Sequence, residues 1–463
     1  MKHYDIIIIG SGWGTKLRSV ADDGKTVAII EKSELGGTCL NRGCIPSKML
    51  IYPSDFATHV KEDASNLHVQ GIENPNIDFA ALVKDTNERI SKDSESIAPF
   101  YEKNENITLY RGTATFVDNS TVEVNGEQIT GEKIYIATGS VPQIPNIPGL
   151  ADTPYMTSKE ALQNEKLPKK MIVIGGGYIA VELWHVYGAA GCEIHFLVRS
   201  SMIKNEDKDI REVFQKDFAD RYNVHFWISP TKVEYKDGIF YVTVTDKDGN
   251  EEIMESDALF VATGVIPMTH RLGLENTDIT VSKRWYIEVD EYLETKTSWV
   301  YALWDVVGNY LFRHSVNFEG EYLLKQHYLW QEKAPIKYPP MPHAIFSYPQ
   351  IAGVWYTEDD LIKQGKKKGI DYETASVDYK NSAMGSAMKS EVGFVKMIAD
   401  RNTRKVLGAH MIWEKSSDII HMMIVIISAW ETIDFMLDKM IFIHPALSEV
   451  IRNAARKLNT SIS

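Results

Sequence analysis

Cysteine is scarce in this sequence, which contains three cysteines among 463 residues. So few cysteines exclude a framework of structural disulfides and are typical of a reducing compartment. The first five residues pass directly into an isoleucine-rich strand, which leaves no room for a signal peptide. We therefore expect a cytoplasmic protein in which any disulfide is catalytic.

Long apolar runs and an excess of positive charge are also missing. No run is long enough to cross a bilayer as a helix, so we expect no membrane partner. The net charge of −13 argues against nucleic acid and anionic membrane surfaces as partners. A hydrophobic content of 44% is ordinary for a globular protein, and 463 residues predict several domains.

Two of the three cysteines, Cys39 and Cys44, lie close together in the glycine-containing segment 36–48. A disulfide between them closes a short loop and adds little stability. Residues five apart in a regular helix rise about 7.5 Å, beyond the usual Cα separation of a disulfide. Gly43 supplies the backbone freedom that such a bridge needs. A constrained local disulfide is easily reduced, so we predict a redox pair. The alternative is two buried free thiols.

The surroundings of Cys44 predict which thiol ionises. Pro46 suits the first turn of a helix, so Cys44 is expected near a positive helix end. Arg42 lies two residues away. Both features favour a thiolate at Cys44.

The N-terminal region has the pattern of a dinucleotide-binding unit. An apolar strand at 5–9 is followed by glycines, a helical stretch and a second strand at 26–30. Glycines let the backbone approach a pyrophosphate, and an acid after the second strand accepts hydrogen bonds from a ribose. A plain tight turn is the alternative. The candidate cofactor-binding residues of this unit are Gly10, Gly12, Gly14 and Glu31.

The same pattern recurs after residue 170. A strand at 171–174 precedes Gly175 and Gly177, and the next strand at 193–198 ends at Arg199. An arginine at this place suits a 2′-phosphate, which favours NADPH over NADH. The alternative is an exposed arginine on a loop.

The remaining segments predict how the two units are connected. Strands at 133–137 and 258–262 both end in Ala-Thr-Gly. The Pro- and Gly-rich segment 131–164 is predicted to be a linker, and 223–258 a pair of hairpins turning at Asp-Gly pairs. Composition changes from residue 339, where we expect a separate α+β domain.

Near the C-terminus, His444 is followed by Glu449 five residues later. Thiol–disulfide exchange needs a base that moves a proton near neutral pH, which suits histidine. A carboxylate on the other ring nitrogen fixes the ring and raises its basicity. The pair therefore predicts a catalytic base.

The segment 36–48 resembles the active-site disulfide of the FAD-dependent pyridine nucleotide-disulfide oxidoreductases, and the resemblance covers nearly the whole chain. It implies an α/β fold with two interlocked Rossmann-like domains, for FAD and NAD(P), plus a C-terminal α+β dimerisation domain. The implied boundaries are 1–150 and 271–338 for FAD, 151–270 for NAD(P), and 339–463 for the dimer interface.

The resemblance also assigns roles to single residues. Cys44 corresponds to the flavin-proximal sulfur, Cys39 to the interchange thiol, and the His444–Glu449 dyad acts from the other subunit of a homodimer. Further cofactor-binding positions are implied at Thr38, Gly139 and Gly264. Lys48 is expected near the flavin, paired with Glu182; Tyr178 is expected to cover the nicotinamide pocket and Asp305 to hold the ribityl chain.

The implied activity is electron transfer between NADPH (or NADH), FAD and a small disulfide or dithiol, with no metal. Within the family the chain is most similar to dihydrolipoamide dehydrogenase and mycothione reductase-like members.

Four tryptophans depart from the family pattern. Trp304 replaces the glycine before Asp305, and Trp13, Trp184 and Trp355 replace residues that are usually small or, at position 13, proline. An indole where backbone approaches a pyrophosphate is expected to clash. The alternative function is a flavin-poor homologue that serves as a dimeric binding or scaffold protein.

Overall fold

The computed structural model describes residues 1–72, 75–329 and 332–462. Its N-terminal region is built on a seven-stranded sheet around Lys2–Ile9, whose residues 6–9 are at most 3% exposed. This continuous burial explains the unbroken isoleucine run, since a parallel strand covered on both faces needs apolar residues throughout. The strands lie in the order Ile107–Arg111, Val27–Glu31, Lys2–Ile9, Glu127–Ile136, Thr121–Val124 and Thr115–Phe116, with Val300–Ala302 paired to Glu127–Ile136.

A second parallel sheet follows in the middle of the chain. Its four strands lie in the order Asn223–Phe226, Glu193–Val198, Lys170–Ile174 and Ala258–Val261. A three-stranded antiparallel sheet is attached to it, formed by Ser229–Lys236, Ile239–Thr245 and Glu251–Ser256. The turns at 237–238 and 248–249 are where the sequence predicted them. The prediction for 223–226 was wrong, because these residues pair in parallel with Glu193–Val198 and extend the nucleotide-type sheet.

The predicted linker 131–164 is also partly wrong. Its first residues belong to the ten-residue strand Glu127–Ile136, which pairs with Lys2–Ile9. After that strand, Ser140–Pro142 pairs with Val265–Pro267 and joins the two Ala-Thr-Gly strand ends. This pairing brings the two nucleotide units into contact.

Helices cover the faces of these sheets. The first is a 3₁₀ helix, Trp13–Asp23, where the sequence predicted a short helical stretch. Cys44–Asp63 packs against Tyr178–Ala189 and so connects the two units. The other α-helices before residue 330 are Gly37–Asn41, Phe79–Glu95, Ile97–Glu102, Ser158–Gln163, Lys208–Arg221 and Arg313–Tyr328.

The C-terminal region is the expected α+β domain. Its antiparallel sheet has the order Pro342–Ile345, Ile351–Trp355, Val406–Ile412, Phe394–Asp400 and Tyr372–Asp378. The helices of this domain are Glu358–Lys363, Ala383–Ala387, Ser416–Ser428, Ile433–Asp438 and Glu449–Ile462. The predicted fold class is confirmed. Among the described residues, no helix combines the length and apolarity needed to span a bilayer.

Candidate active site

Cys39 and Cys44 lie on two consecutive helices with a sharp break between them. Gly37–Asn41 ends at Arg42, and Cys44–Asp63 begins directly after Gly43. A Cβ on Gly43 would lie 3.0 Å from the carbonyl oxygen of Thr38, so the break leaves little room for a side chain there. Both cysteines are free thiols, Cys39 buried and Cys44 exposed. The break brings the two side chains within hydrogen-bonding contact, which a continuous helix prevents.

The contact separates the acidities of the two thiols. The hydrogen bond from Cys44, together with the Arg313 guanidinium, lowers the pKa of Cys39 to about 7 although burial opposes the shift. The same hydrogen bond raises the pKa of Cys44. The prediction of a thiolate at Cys44 was therefore wrong. Arg42 pairs with Glu34, and the cations that act on the thiols are Arg313 at Cys39 and Lys48 at Cys44.

Lys48 lies one turn after Cys44, and its Nζ is 2.6 Å from Oε2 of Glu182. The other oxygen, Oε1, accepts the backbone N–H of Phe346 at 2.9 Å. Lys48 also lies over the Phe346 ring, 4.3 Å from its centroid. Three separate chain segments thus hold this ammonium group close to the thiol pair.

Both glycine turns approach a neighbouring strand end in the same way. A Cβ on Gly10 would lie 2.4 Å from the carbonyl oxygen of Ala137, and one on Gly175 would lie 2.3 Å from that of Ala262. Both glycines have positive φ, at 113° and 129°. The repeated contact indicates that the two units share one structural plan, as the repeated sequence pattern predicted.

The acid after the second strand is oriented toward the first turn. Oε2 of Glu31 accepts the backbone N–H of Ser11 at 2.8 Å and its hydroxyl at 2.7 Å. Oε1 accepts the N–H of Ser33 at 2.8 Å. This places a carboxylate beside the glycine turn, where a ribose hydroxyl binds in this kind of fold. Thr38 is exposed nearby, and the surroundings of Gly14 and Trp13 lie outside the described residues.

Asp305 is half-buried, and one of its carboxylate oxygens is buried without a hydrogen-bond partner. Ser140 donates its hydroxyl to Oδ2 at 2.5 Å, and Oδ1 has no hydrogen-bond partner. Burial raises the pKa of this carboxyl to about 6, although the hydroxyl partly offsets the shift. An unpartnered buried acceptor next to Gly139 suits a hydroxyl-bearing chain such as the ribityl group of FAD.

One side chain does not fit the candidate FAD-binding site formed by these residues, which we call the FAD cradle. Trp304 is 8% exposed and adopts a left-handed φ of 74°. A Cβ on Gly12 would lie 3.1 Å from Cζ3 of the indole, and one on Gly139 would lie 3.6 Å from the same atom. The indole therefore occupies the space that these two glycines leave for a pyrophosphate. The cradle fits FAD in every described group except this indole.

The second turn carries the predicted tyrosine and arginine. Tyr178 opens the helix after Gly177, and its hydroxyl donates to the buried Glu206. Arg199 is exposed at the end of Glu193–Val198. Gly264 has positive φ at the corresponding strand end. These residues line one end of the second sheet, where dinucleotides bind in open α/β folds.

His444 and Glu449 are in contact, with Nδ1 of the histidine 3.0 Å from Oε2. Oε1 of Glu449 lies 2.8 Å from Arg452. Burial raises the pKa of Glu449, but the hydrogen bonds from His444 and Arg452 outweigh it and the net shift is downward. The histidine side chain is 71% exposed, beside the exposed Ile441 and Ile443. Residues of the same chain thus orient the His444 ring, and the exposed ring is accessible to another subunit.

Two features were missed by sequence reasoning. Arg313 lies far from Cys39 along the chain, so no local pattern relates the two residues. His343, in the C-terminal domain, donates its Nε2–H to Oε2 of Glu206 at 2.9 Å. Glu206 therefore links Tyr178 to that domain. No local motif marks such a long-range contact.

The fold and site together define a class: a dinucleotide-dependent thiol–disulfide oxidoreductase with two nucleotide-binding units. The comparisons agree. The chain belongs to the pyridine nucleotide-disulphide oxidoreductases, whose family model matches residues 4–322 and whose dimerisation-domain model matches residues 341–455. Members of this family bind FAD and NAD(P)H and are enzymes of the flavoprotein disulfide reductase type.

Curated relatives and solved structures support the same family. A mercuric reductase of Bacillus cereus is 33% identical over 424 residues, which are 90% of this chain and 66% of that protein. A dihydrolipoyl dehydrogenase of Cupriavidus necator is 31% identical over 474 residues, covering 98% of both chains.

The solved Cu(II) complex of the HOCl-induced flavoprotein disulfide reductase RclA from Escherichia coli is 26% identical to this chain. It superposes with a TM-score of 0.86 over 99% of this chain and 100% of that one. None of these comparisons supports the alternative of a dimeric scaffold protein.

Proposed function

We propose that this protein is a cytoplasmic, NADPH-dependent flavoprotein disulfide reductase, with Cys39 and Cys44 as its redox pair and a small disulfide as its substrate. The observation that carries the proposal is the thiol contact, which lowers the pKa of Cys39 to about 7. Such a thiol is about half ionised near neutral pH, and the thiolate is the nucleophile in disulfide exchange.

The proposed exchange has two steps. The Cys39 thiolate attacks one sulfur of the substrate disulfide, so that a mixed disulfide forms and the first substrate thiolate leaves. The sulfur of Cys44 then attacks that of Cys39, which expels the second substrate thiolate and closes the Cys39–Cys44 disulfide. One product thiol takes the Cys44 proton and the other takes a proton from solvent. The closed disulfide returns to two thiols when it gains two electrons and two protons.

The acid–base group in this scheme is His444 of the partner subunit. Its own chain holds the ring through Nδ1 and Glu449, which leaves Nε2 for proton transfer. The exposed ring and its exposed apolar neighbours suit a site completed by a homodimer. Glu449 stabilises the protonated ring while a substrate thiolate waits for its proton.

The nucleotide sites supply the electrons. Bound FAD would relay an electron pair from NADPH to the disulfide, and Gly10, Glu31, Gly139 and Asp305 would hold it. Lys48, positioned by Glu182, would place a positive charge beside the flavin ring. Arg199 would pair with the 2′-phosphate of NADPH. The domain boundaries proposed from the sequence, at 150, 270 and 338, assign these residues to the two nucleotide units.

The substrate is proposed to be a low-molecular-weight disulfide or a lipoyl group. The remaining cysteine, Cys192, is buried, and burial raises its pKa to about 12. Cys192 therefore stays a neutral thiol, which is a poor nucleophile and a poor ligand for soft metal ions. The described residues thus support disulfide exchange at a single thiol pair.

The proposal is tested with a panel of small disulfides and lipoamide, each with NADPH and NADH, using purified protein loaded with FAD. We expect turnover of at least one disulfide, a higher kcat/KM with NADPH, and loss of turnover in Cys39→Ser. The matched control is Cys192→Ser, which should keep full activity. Turnover that survives in Cys39→Ser would contradict the proposal.

A further inference from the structure

Most tryptophans in the described part of this chain have a backbone conformation that favours glycine. Of the ten tryptophans, Trp330 lies outside the described residues. Left-handed φ is rare for residues with a Cβ and rarest for bulky ones, because the Cβ crowds the adjacent carbonyl. Positive φ values between 58° and 154° occur at Trp227, Trp285, Trp299, Trp304, Trp355, Trp413 and Trp430.

Trp430 shows the effect at a helix end. Its N–H bonds the carbonyl of Ile427, and the next N–H, of Glu431, bonds that of Ile426. This pair of bonds is the Schellman motif, in which the left-handed residue is usually glycine. The same two bonds occur at three helix ends of this chain that do have glycine at the left-handed position: Gly24, Gly191 and Gly365.

Burial does not compensate for this backbone strain. Four of the left-handed tryptophans are more than half exposed, namely Trp227, Trp285, Trp299 and Trp430. Trp285 lies in a tight hairpin turn, where its N–H bonds the carbonyl of Ser282. Turn positions of this kind favour glycine because it has no Cβ.

Buried tryptophans are poorly accommodated as well. The indole N–H groups of Trp184 and Trp413 are buried and have no hydrogen-bond partner. A buried indole normally finds one. A Cβ on Gly393 would lie 2.7 Å from the Cβ of Trp413. The two chain segments are therefore too close at this point for both residues to have a Cβ. Trp304 fills the space beside Gly12 and Gly139.

We propose that the tryptophan positions of this sequence carry glycine in the protein that its own cells produce, because those cells translate the codon UGA as glycine. Among the described residues, seven of the fifteen non-glycine residues with positive φ are tryptophans, and they lie in every domain, so a single reassigned codon explains this excess. UGA differs by one base from the glycine codon GGA and by one base from the tryptophan codon UGG. Glycine at position 304 would clear the FAD cradle, and glycine at the turns would remove the crowding.

The first test is the chemical identity of these residues. A tryptic digest of the protein isolated from its source cells gives the peptide 297–313, which contains positions 299 and 304. We expect its mass to be lower than the mass calculated with tryptophan at both positions, by the difference between two tryptophans and two glycines. We also expect the gene to have UGA at each of the ten positions. Peptide 171–199, cut after Lys170 and Arg199, contains position 184 and should be lighter by one such difference. Tryptophan in these peptides, or UGG in the gene, would overturn the proposal.

The second test compares two recombinant chains, one with the ten tryptophans and one with ten glycines. We expect the glycine chain to retain about one FAD per subunit and to unfold at a higher temperature. The control is Lys389→Gly in the tryptophan chain, which changes another left-handed helix end without touching a tryptophan. Equal FAD content and equal stability of the two main chains would contradict the proposal. Neither FAD content nor thermal stability requires turnover, so this test can contradict the inference without contradicting the proposed function.

Discussion

The Nζ of Lys48 lies 2.6 Å from Oε2 of Glu182, a contact that joins the helix after the thiol pair to the first helix of the second nucleotide unit. The lysine side chain is about one-third exposed and the carboxylate is mostly buried. The pair therefore fixes the place of a positive charge more than it stabilises the fold.

Replacing this charge should affect electron transfer and spare the fold. In Lys48→Met we expect a more negative flavin reduction potential and slower NADPH oxidation, because the cation that stabilises reduced flavin is gone. The free energy of unfolding should change by less than about 1 kcal/mol, as for a partly exposed ion pair. The control is Lys84→Met, which removes a surface lysine 3.9 Å from Glu88. An unchanged potential in Lys48→Met would contradict the assignment.

Arg313 should set the ionisation of Cys39. Its guanidinium and the Cys44 hydrogen bond lower the pKa of Cys39 to about 7. In Arg313→Gln we expect this pKa to rise, so that the midpoint of Cys39 alkylation by iodoacetamide moves to higher pH. Arg42→Gln is the matched control, since Arg42 is close in sequence but pairs with Glu34. A shift in Arg42→Gln, or none in Arg313→Gln, would reverse the interpretation.

Asp305 should make stability depend on pH. Burial raises its pKa from 3.8 to about 6, so between these values the folded chain holds a proton that the unfolded chain has released. Stability therefore falls as pH rises through this window. In the flavin-free protein, Asp305→Asn should be more stable than wild type at pH 8, by about 2–3 kcal/mol at most. The gain should shrink toward pH 4.

Urea unfolding at pH 5 and pH 8 measures this difference. Asp152→Asn, at an exposed position, is the control and should show no such dependence. A gain in Asp305→Asn that is equal at both pH values would show that the burial of Asp305 does not act through its ionisation.

The place of His444 can be tested by mixing subunits. If its ring completes the site of the other subunit, Cys44→Ser and His444→Ala homodimers are each inactive, but hybrids have one intact site. Random subunit exchange should then restore about a quarter of wild-type activity, since half of the dimers are hybrids with one working site of two. Exchange that forms hybrids without restoring activity would place each thiol pair and its histidine on the same subunit.

Sequence reasoning found the parts of this site that have a local signal. The strand at 5–9 and its repeat at 171–174 were recognised because buried parallel strands are continuously apolar. Lys48 and Glu182 were paired by family resemblance, and His444 and Glu449 by their spacing. Both pairs are in contact in the structure.

What the sequence missed depends on contacts between distant residues. The acidity of Cys39 comes from Arg313 and from the break at Gly43, and the nearby Arg42 was misleading because it turns toward Glu34. The strand 223–226 was placed in a hairpin, whereas its partner, Glu193–Val198, lies on the other side of the helix Lys208–Arg221 in the sequence. Local patterns carry no information about such pairings.

Trp304 should limit FAD binding in the chain that has tryptophan at this position. Its indole lies beside Gly12 and Gly139, so FAD binds only if the indole moves aside. Displacing a buried side chain into packed surroundings costs about 1–3 kcal/mol, which corresponds to a roughly 5- to 150-fold weaker affinity. Trp304→Gly should therefore raise both the flavin-to-protein ratio after extensive dialysis and the melting temperature of the holoprotein, because ligand that binds the folded state stabilises it. Trp227→Gly is the control, since its exposed indole should not affect flavin content. Equal and full occupancy in the tryptophan chain and in Trp304→Gly would show that the indole leaves the cradle at no cost.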